Sequence, residues 1–442
     1  MLKVGVSQRD ITPPLNLNMP GYFIERYAVG VKTPLGTHAM VLDDGKSVFA
    51  LVSIDIITFD SCVAKEIKRR ASEKTGITPE AIMITMTHIH TGAPTLRPGN
   101  VFNKVSKKAF EHMKTMTVEA IVEAYNTRRE ASVHYGMGEL EGYSFNRNYR
   151  LTDGSICSNP SKFLDKLAGP LAPIDRSVSS IRFVDKNGKN IGHLVNFACH
   201  CDTAGGGEFE YCADYPGEMR RILKEKYGED SITVFLCGCS GNVNHIDFDL
   251  WKKVGGYPYG LGTHYAVLGK ALAEEVLNVD GKAKTMKDTS LKLERRVFRA
   301  KRRQPTKEMY EWAVKNIDTD NDNDRSYAKS WKKLYEEPKY YTNIEVQVMK
   351  VGEFVIVALP GEVYSDVSLG IKEKSGVEHI FTTALANAGV GYVPTREALE
   401  GGVYESKLSQ SSSYLELDTA DRMIDTAVEL IMKIDSFLKE NC

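Results

Sequence analysis

The sequence predicts an α/β fold with mixed sheets, built from three β-hairpin–helix–strand units whose functional groups collect at the carboxyl ends of parallel strands. Two observations carry this reading. One pattern of two short apolar runs, a turn, a helical stretch and a third apolar run occurs three times. Each apolar run then breaks into a polar tip rich in His, Glu or Tyr, as at Thr87-His88-Ile89-His90-Thr91-Gly92.

The first unit reads Thr37–Asp43, an Asp44-Gly45 turn suited to type I′, Ser47–Asp55, a helix over Ser61–Lys74 and a strand over Ala81–Met86 that runs into His88. The second reads Ser179–Val184, a turn at Asn187-Gly188, Ile191–Ala198 ending at His200, a helix over Tyr215–Tyr227, and Ser231–Leu236 leading to Cys237-Gly238-Cys239-Ser240. The third reads Asn343–Met349, Phe354–Leu359 ending at Pro360-Gly361-Glu362, a helix over Val363–Lys374, and His379–Leu385 leading to Gly391-Tyr392. A helical crossover makes the strands on either side of it parallel. Open α/β sheets place their sites at the carboxyl ends of such strands. The tips collected in this way are Asp55, His88, His90, His200, Asp202, Ser240, Glu362 and Tyr392, and a pseudo-threefold assembly brings them to one pocket. Helix Lys107–Tyr125, strands Ser132–Leu140 and Leu291–Ala300, and a closing helix Asp418–Lys439 read as connecting segments. Residues 301–341 read as an inserted helical segment, with a solvated acidic loop at Asp318–Asp324. No Pro/Ser-rich linker divides the chain, so residues 1–442 are expected to form a single catalytic domain.

Composition limits the function classes. The chain has 442 residues, with 42% hydrophobic and 26% charged residues and a net charge of −1, which argues against a nucleic-acid or anionic-membrane partner driven by global charge. No apolar run approaches the roughly 20 residues that span a bilayer. The opening Met1-Leu2-Lys3-Val4 lacks a signal-peptide pattern. Eight cysteines are too sparse for a disulfide scaffold, and a cytoplasmic protein with reduced thiols is expected. Oligomeric state leaves no trace in the sequence.

The tips offer metal-ligand chemistry. His nitrogen and carboxylate oxygen suit zinc, and catalytic zinc sites keep a position for water. His88, His200 and Glu362 supply two imidazoles and a carboxylate from three different units. Tyr392 is a further ligand or a phenol that hydrogen-bonds the reacting group. Glu362 has an alternative as a helix cap. One ion is expected, and a second is considered at His245 and Asp247. Cys199, Cys201, Cys237 and Cys239 read as small buried hydrophobes, with an iron–sulfur or thiol redox site as the alternative.

At the level of motifs the chain resembles the neutral, non-lysosomal ceramidase family. The resemblance rests on Val4 to Pro13, Met19-Pro20-Gly21-Tyr22, Thr87-His88-Ile89-His90-Thr91-Gly92, Asn146-Arg147, Phe197-Ala198-Cys199-His200, Ala213-Asp214-Tyr215-Pro216-Gly217, Pro360-Gly361-Glu362, Gly391-Tyr392-Val393-Pro394 and Tyr404-Glu405. It implies a zinc-dependent amidohydrolase with His88, His200, Glu362 and Tyr392 as ligands. It also implies His90 near substrate or the reacting water, and Arg147 and Tyr404 as substrate-binding residues that polarise the amide. Ser240 falls in the segment where the family carries a serine, but Gly238-Cys239-Ser240-Gly241-Asn242 lacks that segment's aspartate and proline. Ceramidases of this kind are typically exported or membrane-associated and carry a C-terminal immunoglobulin-like domain. Neither an export signal nor that domain is recognisable here, so a small-molecule N-acyl substrate is expected, with ceramide and a soluble amide both left open. The alternatives are an ester, lactone or glycoside-type bond, and a non-catalytic metal- or ligand-binding protein on the same scaffold.

Overall fold

A computed structural model describes residues 2–95, 103–205, 209–260 and 262–439. The repeat is larger than the sequence pattern indicated. Each unit is a βββαβα module whose leading strand and closing helix had read as connections.

In the first module β1 (Lys3–Asp10), β2 (Gly36–Asp43) and β3 (Val48–Ile54) are antiparallel neighbours. Helix α1 (Ser61–Thr75) crosses over to β4 (Ile82–Met86), which lies parallel to β3, and α2 (Lys104–Asn126) closes the module. The second repeats this with β5 (Arg129–Glu139), β6 (Ser177–Asp185), β7 (Asn190–Phe197), α3 (Asp214–Tyr227), β8 (Ile232–Cys237) and α4 (His264–Gly281). The third uses β9 (Leu291–Lys301), β10 (Tyr341–Val351), β11 (Phe354–Ala358), α5 (Ser365–Ser375), β12 (Ile380–Thr383) and α6 (Thr419–Lys439). Strands β3 and β7 are buried almost throughout, which explains their continuous apolar runs.

Modules one and two join through β1 and β5 into one nine-stranded sheet, while module three forms a separate four-stranded sheet. The seam lies where the parallel strands end. Ala384 donates its amide to the Cys237 carbonyl at 2.9 Å, Asn387 donates its amide to the Ile84 carbonyl at 2.7 Å, and Thr85 bridges to Ala386. The carboxyl ends of β4, β8 and β12 therefore meet.

The first hairpin differs from expectation. Asp43 pairs with Val48 across a four-residue loop in which Gly45 has positive φ and Asp44 does not, so the turn is not type I′. The Asp44 carboxylate instead accepts the Lys46, Ser47 and Leu291 amides, tying this loop to module three.

In every module the first and second strands are linked by a long excursion, at residues 11–35, 140–176 and 302–340. The third contains helices Lys307–Lys315 and Asp322–Glu336, with Asn321 of the acidic loop capping the second.

Candidate metal centre and substrate cavity

His88 and His90 converge for a reason other than strand alternation. Strand β4 stops at Met86, and His88 takes a left-handed conformation, φ 66°. The His88 amide is held by the Ile56 carbonyl at 3.0 Å and the His90 amide by the Cys201 carbonyl at 3.1 Å. The bend turns both rings towards His200, which follows β7, and the potential ligand nitrogens of His88, His90 and His200 all lie within 4.8 Å of one another.

Backbone carbonyls set the tautomers. His88 Nδ1 lies 2.8 Å from the Ile57 carbonyl and His200 Nδ1 lies 3.0 Å from the Ser240 carbonyl. A carbonyl only accepts, so both Nδ1 atoms carry hydrogen and both Nε2 atoms present lone pairs. Those Nε2 atoms face each other at 3.1 Å, and Glu362 Oε2 lies 3.2 Å from His88 Nε2 and 3.8 Å from His200 Nε2. Two buried lone pairs and a carboxylate oxygen are aimed at one point and could hold a cation. Tetrahedral zinc with bonds near 2.0–2.1 Å holds its ligand atoms roughly 3.3 Å apart; the 3.1 and 3.2 Å separations match this, and the 3.8 Å one is longer.

Glu362 reaches this point through Gly361, whose φ is 85° and where a Cβ would lie 2.5 Å from the Gly391 carbonyl. The following helix is capped at Tyr364, so the capping role considered for Glu362 does not apply. Residues Glu362 and Tyr392 pair in parallel, which places the Tyr392 phenol at the same cavity. The Tyr392 hydroxyl accepts a hydrogen bond from Arg147 Nη2 at 3.1 Å. Burial, reinforced by Glu362, raises its pKa well above the ordinary tyrosine value.

Burial and the two neighbouring imidazoles lower the His90 pKa well below the ordinary value, and neither ring nitrogen has a hydrogen-bond partner among the described residues. Asp202 lies 3.9 Å from His90 Nδ1 and accepts the Tyr22 hydroxyl. Burial pushes Asp202 up to about 6. For His88, burial acts downward but Glu362 outweighs it, and the pKa is raised; His200, buried and near Arg147, is lowered.

Several expected roles change. Arg147 does not line the cavity. Its Nε donates to buried Glu405 at 2.6 Å and its Nη2 to the Gly241 carbonyl at 2.8 Å, so it stands behind Tyr392 and positions it. The Ser240 hydroxyl lies 3.6 Å from Cys237 Sγ, while the Ser240 carbonyl supports His200. This geometry gives the Ser240 backbone a part in holding His200. Asp55 belongs to a structural network with Arg220, Thr87 and the Gly36 amide. Asp247 accepts the Leu250 amide and His245 Nε2 pairs with the Tyr257 hydroxyl, so they do not present a second ion site. Cys239 Sγ contacts Thr382 while Cys237 Sγ contacts the Cys199 carbonyl, so the four cysteines do not form a ligand set. Tyr404 does line the cavity.

The cavity has a volume of about 200 Å³ and runs from His88, His90 and Glu362 to a mouth framed by Tyr22, Phe23, Tyr327 and Tyr404. Phe23 lies 5.8 Å from Tyr327 and 6.2 Å from Tyr404, centroid to centroid. Sequence reasoning assigned no role to Tyr22, Phe23 or Tyr327. They come from the first and third excursions, and their only signal was the Pro20-Gly21-Tyr22 motif.

Residues 2–217 match the family model described as neutral/alkaline non-lysosomal ceramidase, N-terminal. The neutral ceramidase of Pseudomonas aeruginosa is 21% identical, covering 97% of this chain and 72% of that protein. Neutral ceramidase 1 of Arabidopsis thaliana is 23% identical over 52% of this chain and 30% of its own length. The crystal structure of the Pseudomonas aeruginosa enzyme superposes with a TM-score of 0.74 at 19% identity, covering 98% of this chain and 75% of that one. A ceramidase structure complexed with C2 gives a TM-score of 0.72.

Proposed function

The chain is a divergent member of the neutral/alkaline non-lysosomal ceramidase family, and from that premise we propose that it is a zinc-dependent hydrolase of N-acyl bonds. The observation that carries this reading is the pair of Nδ1-anchored imidazoles whose Nε2 atoms face each other beside Glu362. His88, His200 and Glu362 would hold the ion, with Tyr392 beside them. Zinc, when bound there, lowers the pKa of water towards neutrality and polarises a carbonyl.

The protein's own groups supply the rest. Water adds across the C–N bond to give a carboxylic acid and an amine. His90, held neutral by burial, accepts the proton that water loses and returns it to the leaving nitrogen. Tyr392, held protonated, donates a hydrogen bond to the oxygen on which negative charge develops. Arg147, anchored by Glu405, fixes the phenol, and Tyr404 closes the substrate side. Ligands drawn from all three modules support residues 1–442 acting as one catalytic domain. All seven cysteines among the described residues are free. No described helix is long and apolar enough to cross a membrane.

The test is chelation followed by zinc titration. Hydrolysis of a short N-acyl substrate should vanish with the metal and return at about one zinc per chain. Undiminished turnover by metal-free protein would overturn the reading.

A further inference from the structure

The lining of the cavity identifies which part of a substrate it receives. Beyond the ligand end, Ser326 and Ser330 of helix Asp322–Glu336 and Ser409, Ser411 and Ser412 of the loop before α6 supply hydroxyls. Among the described residues the rest of the wall is mostly aromatic, with Pro20 and Ile57 as its aliphatic side chains. Among the described residues no Lys or Arg lines it.

Hydroxyls both donate and accept, which suits hydroxyl groups on a ligand. Aliphatic chains gain from apolar contact, which this wall offers only as aromatic faces interrupted by hydroxyls. A volume of about 200 Å³ is also below the roughly 300–1,000 Å³ of pockets that enclose drug-sized ligands. The metal ligands come from strand ends shared by all three modules, whereas Ser326, Ser330 and Tyr327 come from a helical excursion that only module three carries.

We propose that this wall seats a short, polyhydroxylated amine as the leaving half of the N-acyl substrate, and that a long alkyl chain on the amine is excluded. The assignment rests on the amide-hydrolase reading above. Recognition of hydroxyls by buried polar groups discriminates more strongly against an analogue lacking them than an apolar pocket does against an extra methylene.

The experiment compares kcat/KM of zinc-loaded enzyme on three N-acetyl amides: N-acetylserinol, its hydroxyl-free counterpart N-isopropylacetamide, and N-dodecylacetamide. N-acetylserinol should lead its counterpart by at least about tenfold, with the dodecyl compound no better than the counterpart. The Ser326→Ala/Ser330→Ala double variant should collapse the first ratio. A dodecyl compound cleaved fastest, or rates indifferent to the hydroxyls, would overturn the assignment. If no amide is cleaved, the hydrolase reading falls and seating is read from binding. Saturable thermal stabilisation by serinol but not isopropylamine then upholds the assignment, and equal or absent stabilisation by the two overturns it.

Discussion

Two buried histidine–carboxylate clusters in this molecule look alike by composition and are opposite in design. In module two, His193 Nε2 lies 2.9 Å from Asp280 Oδ2, and Asn190 Nδ2 sits 3.3 Å from His193 Nδ1. Asp280 also accepts from Ser180 and Tyr227, each at 2.8 Å. An amide nitrogen donates, so Nδ1 accepts, Nε2 carries the hydrogen, and the network closes on itself. At His88 and His200 the carbonyls stand behind Nδ1, and the free lone pairs point at each other. A structural histidine exhausts its hydrogen-bonding capacity within the protein, whereas a ligand histidine is held from behind and left incomplete in front.

The sharpest way to break this comparison is to delete one ring from each cluster. His200→Ala should fold, lose stoichiometric zinc and lower kcat/KM by at least roughly 10³-fold, since a Lewis-acid metal supplies several kcal/mol. His193→Ala should keep zinc and specific activity but unfold at lower denaturant. Metal analysis beside urea titration separates the two, and zinc retained by His200→Ala would dissolve the distinction.

Next in size is the support of Tyr392. Arg147→Met leaves Glu405 buried without its cation and should cost about 3–5 kcal/mol of stability, with activity falling as the phenol loses its anchor. Equilibrium denaturation reads the first effect and steady-state kinetics the second.

A smaller effect sharpens the structural side. Burial acts to raise the Asp280 carboxyl, but His193, Tyr227 and Ser180 outweigh it and hold it below the ordinary value of 3.8. A depressed folded-state pKa contributes stability that is present above the unfolded value and lost as pH falls through the folded one. Asp280→Asn should therefore destabilise by about 1–3 kcal/mol at pH 7. The gap to the parent protein should narrow as pH falls below 3.8, as thermal melts across pH would show. The smallest expected effect is at Ser240. Ser240→Ala keeps the carbonyl that supports His200 and should leave kcat/KM little changed; a large loss would restore its hydroxyl to the chemistry.

The hairpins and crossovers were legible because alternation, Gly-containing turns and helical period are local. The leading strands were visible as strands but not as module members. Pairing β5 with β6 or β9 with β10 spans an excursion of several dozen residues, and nothing local fixes that register. His88, His200 and Glu362 were readable because each ends a recognisable strand. The Arg147–Glu405 pair was not legible because the two residues lie 258 positions apart, and a buried guanidinium with a dedicated carboxylate looks, in sequence, like a substrate-binding one. The hydroxyl wall was invisible because serines scattered between 326 and 412 acquire meaning only when helix and loop fold over one opening.

The convergence of residues 88, 200 and 362 on one point also sets a timetable for biosynthesis. A nascent chain that has emerged only as far as α4 has both imidazoles but lacks the carboxylate. The three groups thus come together late, only after the third module has docked on the other two.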